Sequence, residues 1–460
     1  MIIKSINPAD GTVIAQTQCC AGADVERAVN RARETQHQWA ALGVDKRIGL
    51  LLQVRNELRK NSTEIASILM QEIGKPKIEA ELELLDASET ISYYCARVKN
   101  VHDLPFPLNA EVYPQTTASV QFEPHGVIGL ITPWNYPLSL TFWTVVPAML
   151  AGNTVVYKPS ESAVLIGKKI DDILQRVLPK GVFHTLIGDA RIGQTLVKSS
   201  VDKLFFTGSV SSGEWIVKNA GIKPLALELG GKDAAIICAD SDLELSTSGV
   251  VWGALTNMGQ CCVASEHVFI EAKIYDEAVQ QIVQKVRALK MDKEIRPLVN
   301  AEQLKKVERL VSDATRKGAK VLCGGKKIDR PGFWFEPTVL ANITDIMRIC
   351  HEEIFGPVLT LHKIKTAHDA LRIINAGTYG LGMSIWSADV EHAQQLAINA
   401  HVGMVWINDT ALPLPGGEYC GGVKNSGLRN TESKLMQCLK AKTVMVHTGK
   451  EKRMWWYPYG

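Results

Sequence analysis

The sequence predicts an α/β fold built from two successive lobes, and three observations carry that reading. Beyond an opening helical region, apolar runs rich in β-branched residues alternate with amphipathic stretches, the pattern of a mostly parallel sheet wrapped by helices. The alternation starts again after the glycine pair Gly230-Gly231. The chain has 460 residues, 46% hydrophobic and 22% charged, a globular composition with room for two or three domains.

Taken in order, the opening region reads as helices. Ile48, Leu51, Leu52, Arg55 and Leu58 keep the three-four spacing of one buried stripe, and Ile65, Ile68 and Leu69 resume it after a break at Asn61-Ser62. The strand "GVIGLI", a helix near Leu140 to Leu150, the strand "TVVYK", a helix from Ile166 to Val177, and the strands "VFHTLI" and "KLFFTGS" then form a first lobe. The second lobe holds "DAAIICA", a helix opened by a capping box at Ser241-Asp242-Leu243-Glu244, the strand "HVFIEA", and a helix carrying Val279, Ile282, Val283, Val286 and Leu289. Two stretches fit neither lobe: "ASVQFEP", ending at Pro124, and the tail "KTVMVHTGKEKRMWWYPYG". Both read as strand-bearing projections, and the apolar, aromatic tail suggests contact with another subunit.

From Gly126 to Tyr157 no residue is charged, which is long enough to mimic a membrane span. Pro133, Asn135, Pro137 and Pro147 interrupt it, so a strand, turn and short helix buried in an α/β domain are expected, with no membrane partner. A net charge of +3 and the lack of a dense Lys/Arg run argue against nucleic acid and anionic lipid, leaving small molecules as partners. The N-terminus lacks the basic and apolar regions of a secretory signal, so a cytoplasmic location is expected. Ten cysteines at irregular positions, without paired CxxC spacing, read as reduced thiols used mostly for packing; no metal site is expected.

Four turns carry residues suited to chemistry. "FTGSVSSG" puts Gly208 and Gly213 between a strand and a helix, where amides and the positive helix end suit a pyrophosphate; an ordinary strand-to-helix turn is the other reading. "VVYKPSE" sets Lys158 and Glu161 past a strand, at the carboxyl edge where open sheets bind ligands, or merely in a solvated loop. An acid at Glu161 would accept from a ribose 2′-hydroxyl and repel a 2′-phosphate, which favours NAD over NADP. "LALELGGKD" ends a strand on Glu228, where apolar neighbours would raise a carboxyl pKa toward general-base use; a surface acid is the plain alternative. In "TNMGQCCVASEH", Cys261 and Cys262 lie on a turn, too close together for an unstrained bridge and without ligand-spaced partners. Packing and nucleophilic roles both stay open there.

Together "ITPWNYPL", "KPSE", "FTGS", "LELGGK", "GQCC", "EEIFGPV" and "GGVKNSG", in that order, resemble the aldehyde dehydrogenase superfamily, with "NPADG", "YGLGMSIW" and the "WWYPY" tail extending the likeness over nearly the whole chain. The resemblance implies that Cys262 is the nucleophile, Asn135 with the Cys262 N–H the oxyanion donor, and Glu228 the general base for thioester hydrolysis. It implies cofactor contacts at Trp134, Lys158, Glu161, Gly208, Ser209, Glu353 and Phe355, with NAD as cofactor and NADP possible. Tyr136, Trp143, Cys261 and Cys420 are expected to line the substrate pocket.

The same resemblance implies two Rossmann-like α/β lobes with a small β oligomerisation element. The cofactor lobe would comprise 1–105 and 125–230, the catalytic lobe 231–437, and the oligomerisation element 106–124 and 438–460, in a homodimer or homotetramer. The implied reaction oxidises a small aldehyde or semialdehyde, succinate semialdehyde being the first candidate, to its acid. A non-catalytic NAD-binding relative and a coenzyme A-acylating dehydrogenase are the alternatives; Glu228 argues against the second, which needs no hydrolytic base. Three departures stand out: Arg429-Asn430 in "SGLRNTES", a short "KMDKEIRPLVN" with Arg296 in place of a usual glycine and read as a surface change, and Cys420 with the loop "TALPLPGGEY" where an aromatic often lines the tunnel.

Overall fold

The computed structural model describes residues 1–428, 433–453 and 455–458, so the Arg429-Asn430 departure lies outside the described residues. Its centre is two α/β lobes. The first contains a five-stranded parallel sheet in the order Phe183–Thr185, Thr154–Lys158, Val127–Ile131, Lys203–Thr207, Leu225–Glu228. Val127–Ile131 comes first in the chain, and its successors fall on opposite sides of it. That reversal leaves a crevice at the carboxyl ends of Val127–Ile131 and Lys203–Thr207, the place where open α/β sheets take ligands.

The second lobe contains a seven-stranded sheet, ordered Lys320–Cys323, Thr338–Ala341, Val358–Ile364, His267–Glu271, Ala234–Ile237, Gly382–Trp386, Met404–Ile407. All neighbours are parallel except the antiparallel edge pair Lys320–Cys323 with Thr338–Ala341. The two projections pair with one another: Leu439–His447 runs antiparallel to Thr116–Pro124, which also holds Leu104–Phe106.

The opening region differs from the sequence reading at its start. An antiparallel hairpin, Ile2–Ile6 with Val13–Gln18, precedes the helices, because "NPADG" makes a turn closed by Gly11 N–H donating to the Asn7 carbonyl at 2.8 Å. The helix Gly22–Ala41 then packs on the first sheet, and Val44–Lys60 and Lys77–Arg97 pack against neighbouring helices. In Val44–Lys60 the buried stripe is Leu51, Val54 and Leu58, joined in one core with Ile65, Leu69, Phe142, Val155 and Tyr157. Arg47, though charged, is buried beneath this helix and donates to the carbonyls of Leu150 at 3.0 Å and Ala40 at 2.7 Å, tying two helix ends together.

The uncharged stretch from Gly126 folds as a strand, a turn and the helix Ser139–Leu150, which contains Pro147 within it rather than stopping before it. Among the described residues no helix is long and apolar enough to cross a membrane. The helix Leu243–Leu255 starts one residue later than a capping box on Ser241 requires. Asp242 is its cap, accepting from Leu245 N–H at 2.9 Å, since a carboxylate one position closer reaches the free amides better.

Candidate active site

Cys261 and Cys262 follow a strained turn. Asn257, Met258 and Gly259 take successive left-handed φ values of 48°, 56° and 67°. Two non-glycine residues there cost energy, so surrounding bonds must hold them. Glu79 accepts from Asn257 N–H at 2.8 Å, the Asn257 amide donates to the Asn135 carbonyl at 3.1 Å, and the Gln260 amide returns to the Asn257 carbonyl at 3.0 Å. Gln260 Oε1 also accepts from Val299 N–H at 2.9 Å. Gly259 is required twice over, because its φ is left-handed and a Cβ there would stand 2.1 Å from the Gly356 carbonyl.

Asn135 is buried at the carboxyl end of the Val127–Ile131 strand, and its side-chain amide donates to the Gln260 carbonyl at 3.1 Å. The structure therefore ties Asn135 directly to the turn that carries Cys262. Gly231 closes the other side: a Cβ on it would meet the Cys262 carbonyl at 2.3 Å, so only glycine lets the "LGGK" backbone pass. Three residues earlier stands Glu228, last in the sheet.

The two thiols share a hydrogen bond, Cys261 buried and Cys262 half-buried, which draws the Cys261 thiol down and pushes the Cys262 thiol up. The hydrogen bond between them eases loss of the first proton, aided by Val263 N–H, the Tyr136 hydroxyl and Lys75. That same bond and burial, with Asp233 and Glu353 nearby, resist loss of the second. Tyr136 itself lies under the Lys75 ammonium, 3.5 Å from its ring centre, and Lys75 pairs with Glu83 at 2.7 Å with both side chains fully buried. Cys261 thus belongs to a polar network behind the turn rather than to an apolar filler.

Glu353 accepts from Gly231 N–H at 3.0 Å, and burial followed by the Glu266 charge pushes its carboxyl up to about 7. Glu266, paired with Lys232 at 2.6 Å, also accepts from Ile354 and Phe355 N–H at 2.7 and 2.9 Å. This fixes Phe355, itself left-handed at φ 53°, edge-on to Trp134 with ring centres 5.5 Å apart. Glu353 is thus near enough for its charge to act on Cys262, and Phe355 carries Trp134 to the same group of elements.

The other expected cofactor residues form a second group at the crevice of the first sheet. Lys158 ends its strand buried, donates to the Pro159 carbonyl at 2.8 Å and faces Glu161 at 3.5 Å. Burial pushes its ammonium down, and Glu161 pulls it back. Gly208 N–H donates to the Glu228 carbonyl at 3.0 Å, and Ser209 caps the helix Val210–Asn219 by accepting from Ser212 N–H at 3.3 Å. A helix start, a lysine and an acid along one crevice fit a dinucleotide's phosphates and ribose hydroxyls.

Of the expected pocket residues, Tyr136 and Cys261 lie in the network around Lys75, while Trp143 and Cys420 both neighbour Asp86. Trp143 donates to Asp86 at 2.8 Å and lies under the Pro415–Gly417 turn, whose Gly416 carbonyl accepts from the Tyr94 hydroxyl at 2.9 Å. Cys420 follows that turn, buried, its thiol pushed up to about 12 by burial and then by Glu228. The neighbouring aromatic, Tyr419, is 56% exposed.

Two expectations need correction. Glu228 is not set among apolar neighbours, since Lys434 Nζ stands 3.1 Å from its Oε1. Arg296 is not a surface change: it is half-buried, its Nε donating to the Gly74 carbonyl at 3.1 Å and its N–H to the Met258 sulfur at 3.3 Å. Lys434, Glu79, Gln260 and Lys75 were missed as site residues. Gln260 stood inside a quoted motif, but a lysine in "ESKLMQ" carries no local signal at all. Among the described residues no group of three or more His, Cys, Asp or Glu suits a metal ion. A cavity of about 610 Å³ opens on the second lobe, lined in part by Asp233, His267, His362 and Tyr379, and Cys262, Glu228 and Asn135 are not among its walls.

Comparison with known proteins bears on the family and the fold. The profile of the "Aldehyde dehydrogenase family" matches residues 1–444. Betaine aldehyde dehydrogenase of Bacillus subtilis (strain 168) is 32% identical over 447 residues, 94% of this chain and 90% of that protein. Human retinal dehydrogenase 2 is 32% identical over 461 residues, 96% of this chain and 88% of that protein. Among solved structures, lactaldehyde dehydrogenase from Escherichia coli superposes with a TM-score of 0.93 at 31% identity, covering 97% of this chain and 96% of that one. Betaine aldehyde dehydrogenase from Staphylococcus aureus in complex with NAD+ gives 0.94 at 29% identity, covering 99% of this chain and 93% of that one.

Proposed function

The chain belongs to the aldehyde dehydrogenase family, and from that premise we propose that Cys262, Asn135 and Glu228 are the nucleophile, oxyanion donor and hydrolytic base of its reaction. The protein is an oxidoreductase that oxidises aldehydes, and its cofactor is NAD. The observation that carries the residue assignment is the cross-linking of three motifs around one turn: Asn135 bonded to Gln260, Gly231 pressed on the Cys262 carbonyl, and Glu353 bonded to Gly231.

Cys262 sulfur attacks the aldehyde carbon, and the carbonyl electron pair moves to oxygen. The Asn135 amide and the Cys262 N–H receive that oxyanion. NAD, when bound, supplies the acceptor for the hydride that leaves the carbon. Glu228 takes a proton from water, the water oxygen attacks the thioester, and the C–S bond breaks to restore the thiolate and release the acid. Trp134, Glu353 and Phe355 hold the reactive end of the cofactor, while Lys158, Glu161, Gly208 and Ser209 hold its other end. The acid at Glu161 favours NAD over NADP.

The substrate we favour is a small aldehyde or semialdehyde, with succinate semialdehyde first in the panel; betaine aldehyde, lactaldehyde and retinal join it because the relatives bear those names. We assign the cofactor lobe to 1–105 and 125–230 and the catalytic lobe to 231–437. The three-stranded sheet, from 106–124 and 438–460, is where subunits of a dimer or tetramer meet; Leu104, Phe106, Met445 and Val446 are exposed on it.

The test is absorbance of reduced nicotinamide with purified protein, NAD or NADP in turn, and the aldehyde panel. Native protein and Cys261→Ala give a signal with NAD, whereas Cys262→Ser gives none and still binds NAD. Activity surviving Cys262→Ser would shift the nucleophile to Cys261, and silence from native protein with both cofactors would sink the catalytic reading.

A further inference from the structure

Glu228 meets an ammonium brought from far along the chain. Lys434 Nζ stands 3.1 Å from Glu228 Oε1, across 206 residues of sequence, and the two side chains are 4% and 16% exposed. The lysine opens the short helical turn Lys434–Gln437, whose placement is fixed from several sides. Its own N–H donates to Glu418 at 3.2 Å, Lys203 donates to the Gln437 carbonyl at 2.6 Å, and Asn153 donates to the Cys438 carbonyl at 2.8 Å. Lys203 belongs to the strand beside the one that ends at Glu228. Base and ammonium are therefore anchored to adjacent strands of one sheet, and their approach is part of the fold rather than a chance meeting of flexible side chains.

We propose that Lys434 is a positioning residue for thioester hydrolysis, holding the Glu228 carboxylate ionised and aimed for the water it deprotonates. The inference rests on the reading of Glu228 as hydrolytic base. A nearby ammonium favours the charged form of a carboxylate, which is the form able to accept a proton. When Glu228 takes the proton of water, the hydroxide oxygen bonds to the thioester carbon and the C–S electron pair returns to Cys262. The buried ammonium is then left facing a neutral acid, an unfavourable state that drives the proton off to solvent and resets the base. Acylation does not involve this cycle, so Lys434 acts on one half of the reaction only.

The experiment compares Lys434→Met, Lys434→Gln and Lys434→Arg with native enzyme and Glu228→Gln, following reduced nicotinamide in the first turnover and at steady state. The neutral variants are expected to form the first equivalent at the native rate and then turn over about tenfold more slowly, a fraction of what a general base contributes. Hydroxylamine, which attacks a thioester without base assistance, restores their turnover and yields the hydroxamate. Lys434→Arg recovers most of the loss. Adding Lys434→Met to Glu228→Gln costs nothing further, because both act through one carboxylate. Unchanged steady-state rates in both neutral variants, equal slowing of both phases, or a further loss in the double variant would each overturn the role of Lys434. Full turnover by Glu228→Gln would instead remove the hydrolytic-base reading on which it rests.

Discussion

Glu353 shows how a single residue can carry both a site and a pH dependence. Its carboxyl is raised from 4.5 to about 7 by burial and then by Glu266, so the folded protein keeps a proton that the unfolded chain loses above 4.5. Stability contributed by that proton is present at low pH and is lost as pH rises from about 4.5 to about 7, a change on the order of a few kcal/mol. Glu353→Gln, which keeps the shape and removes the titration, is expected to flatten this segment of the unfolding curve, measured as thermal midpoints across that window. Identical pH profiles for native and variant protein would show that the carboxyl titrates normally. The sequence singled out Glu353 through the "EEIFGPV" motif, but its raised pKa was illegible there. It depends on burial and then on the charge of Glu266, which lies far from it along the chain, and the Gly231 N–H only partly offsets them.

At the scale of an element, the turn from Thr256 to Gly259 is the most constrained part of the site. Its left-handed Asn257 is held by Glu79 from one helix, Asn135 from the turn after a strand, and Gln260, which is itself tied to Val299 of a distant loop. Gly259→Ala would force a Cβ against the Gly356 carbonyl at a left-handed φ, at a cost of about 2–4 kcal/mol. The variant is expected to unfold at lower denaturant concentration and to lose most turnover; native stability together with native activity would refute the strained-turn account. Cys262 was legible as a turn residue because Gly259 and the end of an amphipathic stretch mark one. The hairpin at Ile2–Gln18 was less legible: its strands are short and half-exposed, so they lack the apolar periodicity that reveals a buried strand.

For the whole molecule, the proposed assembly surface is the exposed three-stranded sheet. Among the described residues Leu439–His447 is an edge strand of this sheet, and Met445 and Val446 are 52% and 49% exposed. An edge of this kind invites pairing with a second copy, in which equivalent strands meet across a symmetry axis. Native protein is expected to sediment as a dimer or tetramer at micromolar concentration, and Met445→Asp to shift it toward smaller species without unfolding the lobes. A native monomer would remove the assembly role from this sheet.

What the sequence determined by itself was the alternation of strands and helices in two α/β lobes beyond the opening region, and the motifs whose resemblance to a family singled out Cys262, Asn135, Glu228, Glu353 and Phe355, because hydrophobic period and short motifs are local properties of the chain. Only the tertiary structure decided which groups those residues face. Lys434 beside Glu228, Glu79 beneath Asn257, and the Lys75–Tyr136 stack behind Cys261 join segments distant along the chain. Electrostatic and hydrogen-bonding effects depend on separation in space, so no pattern within one segment could reveal them.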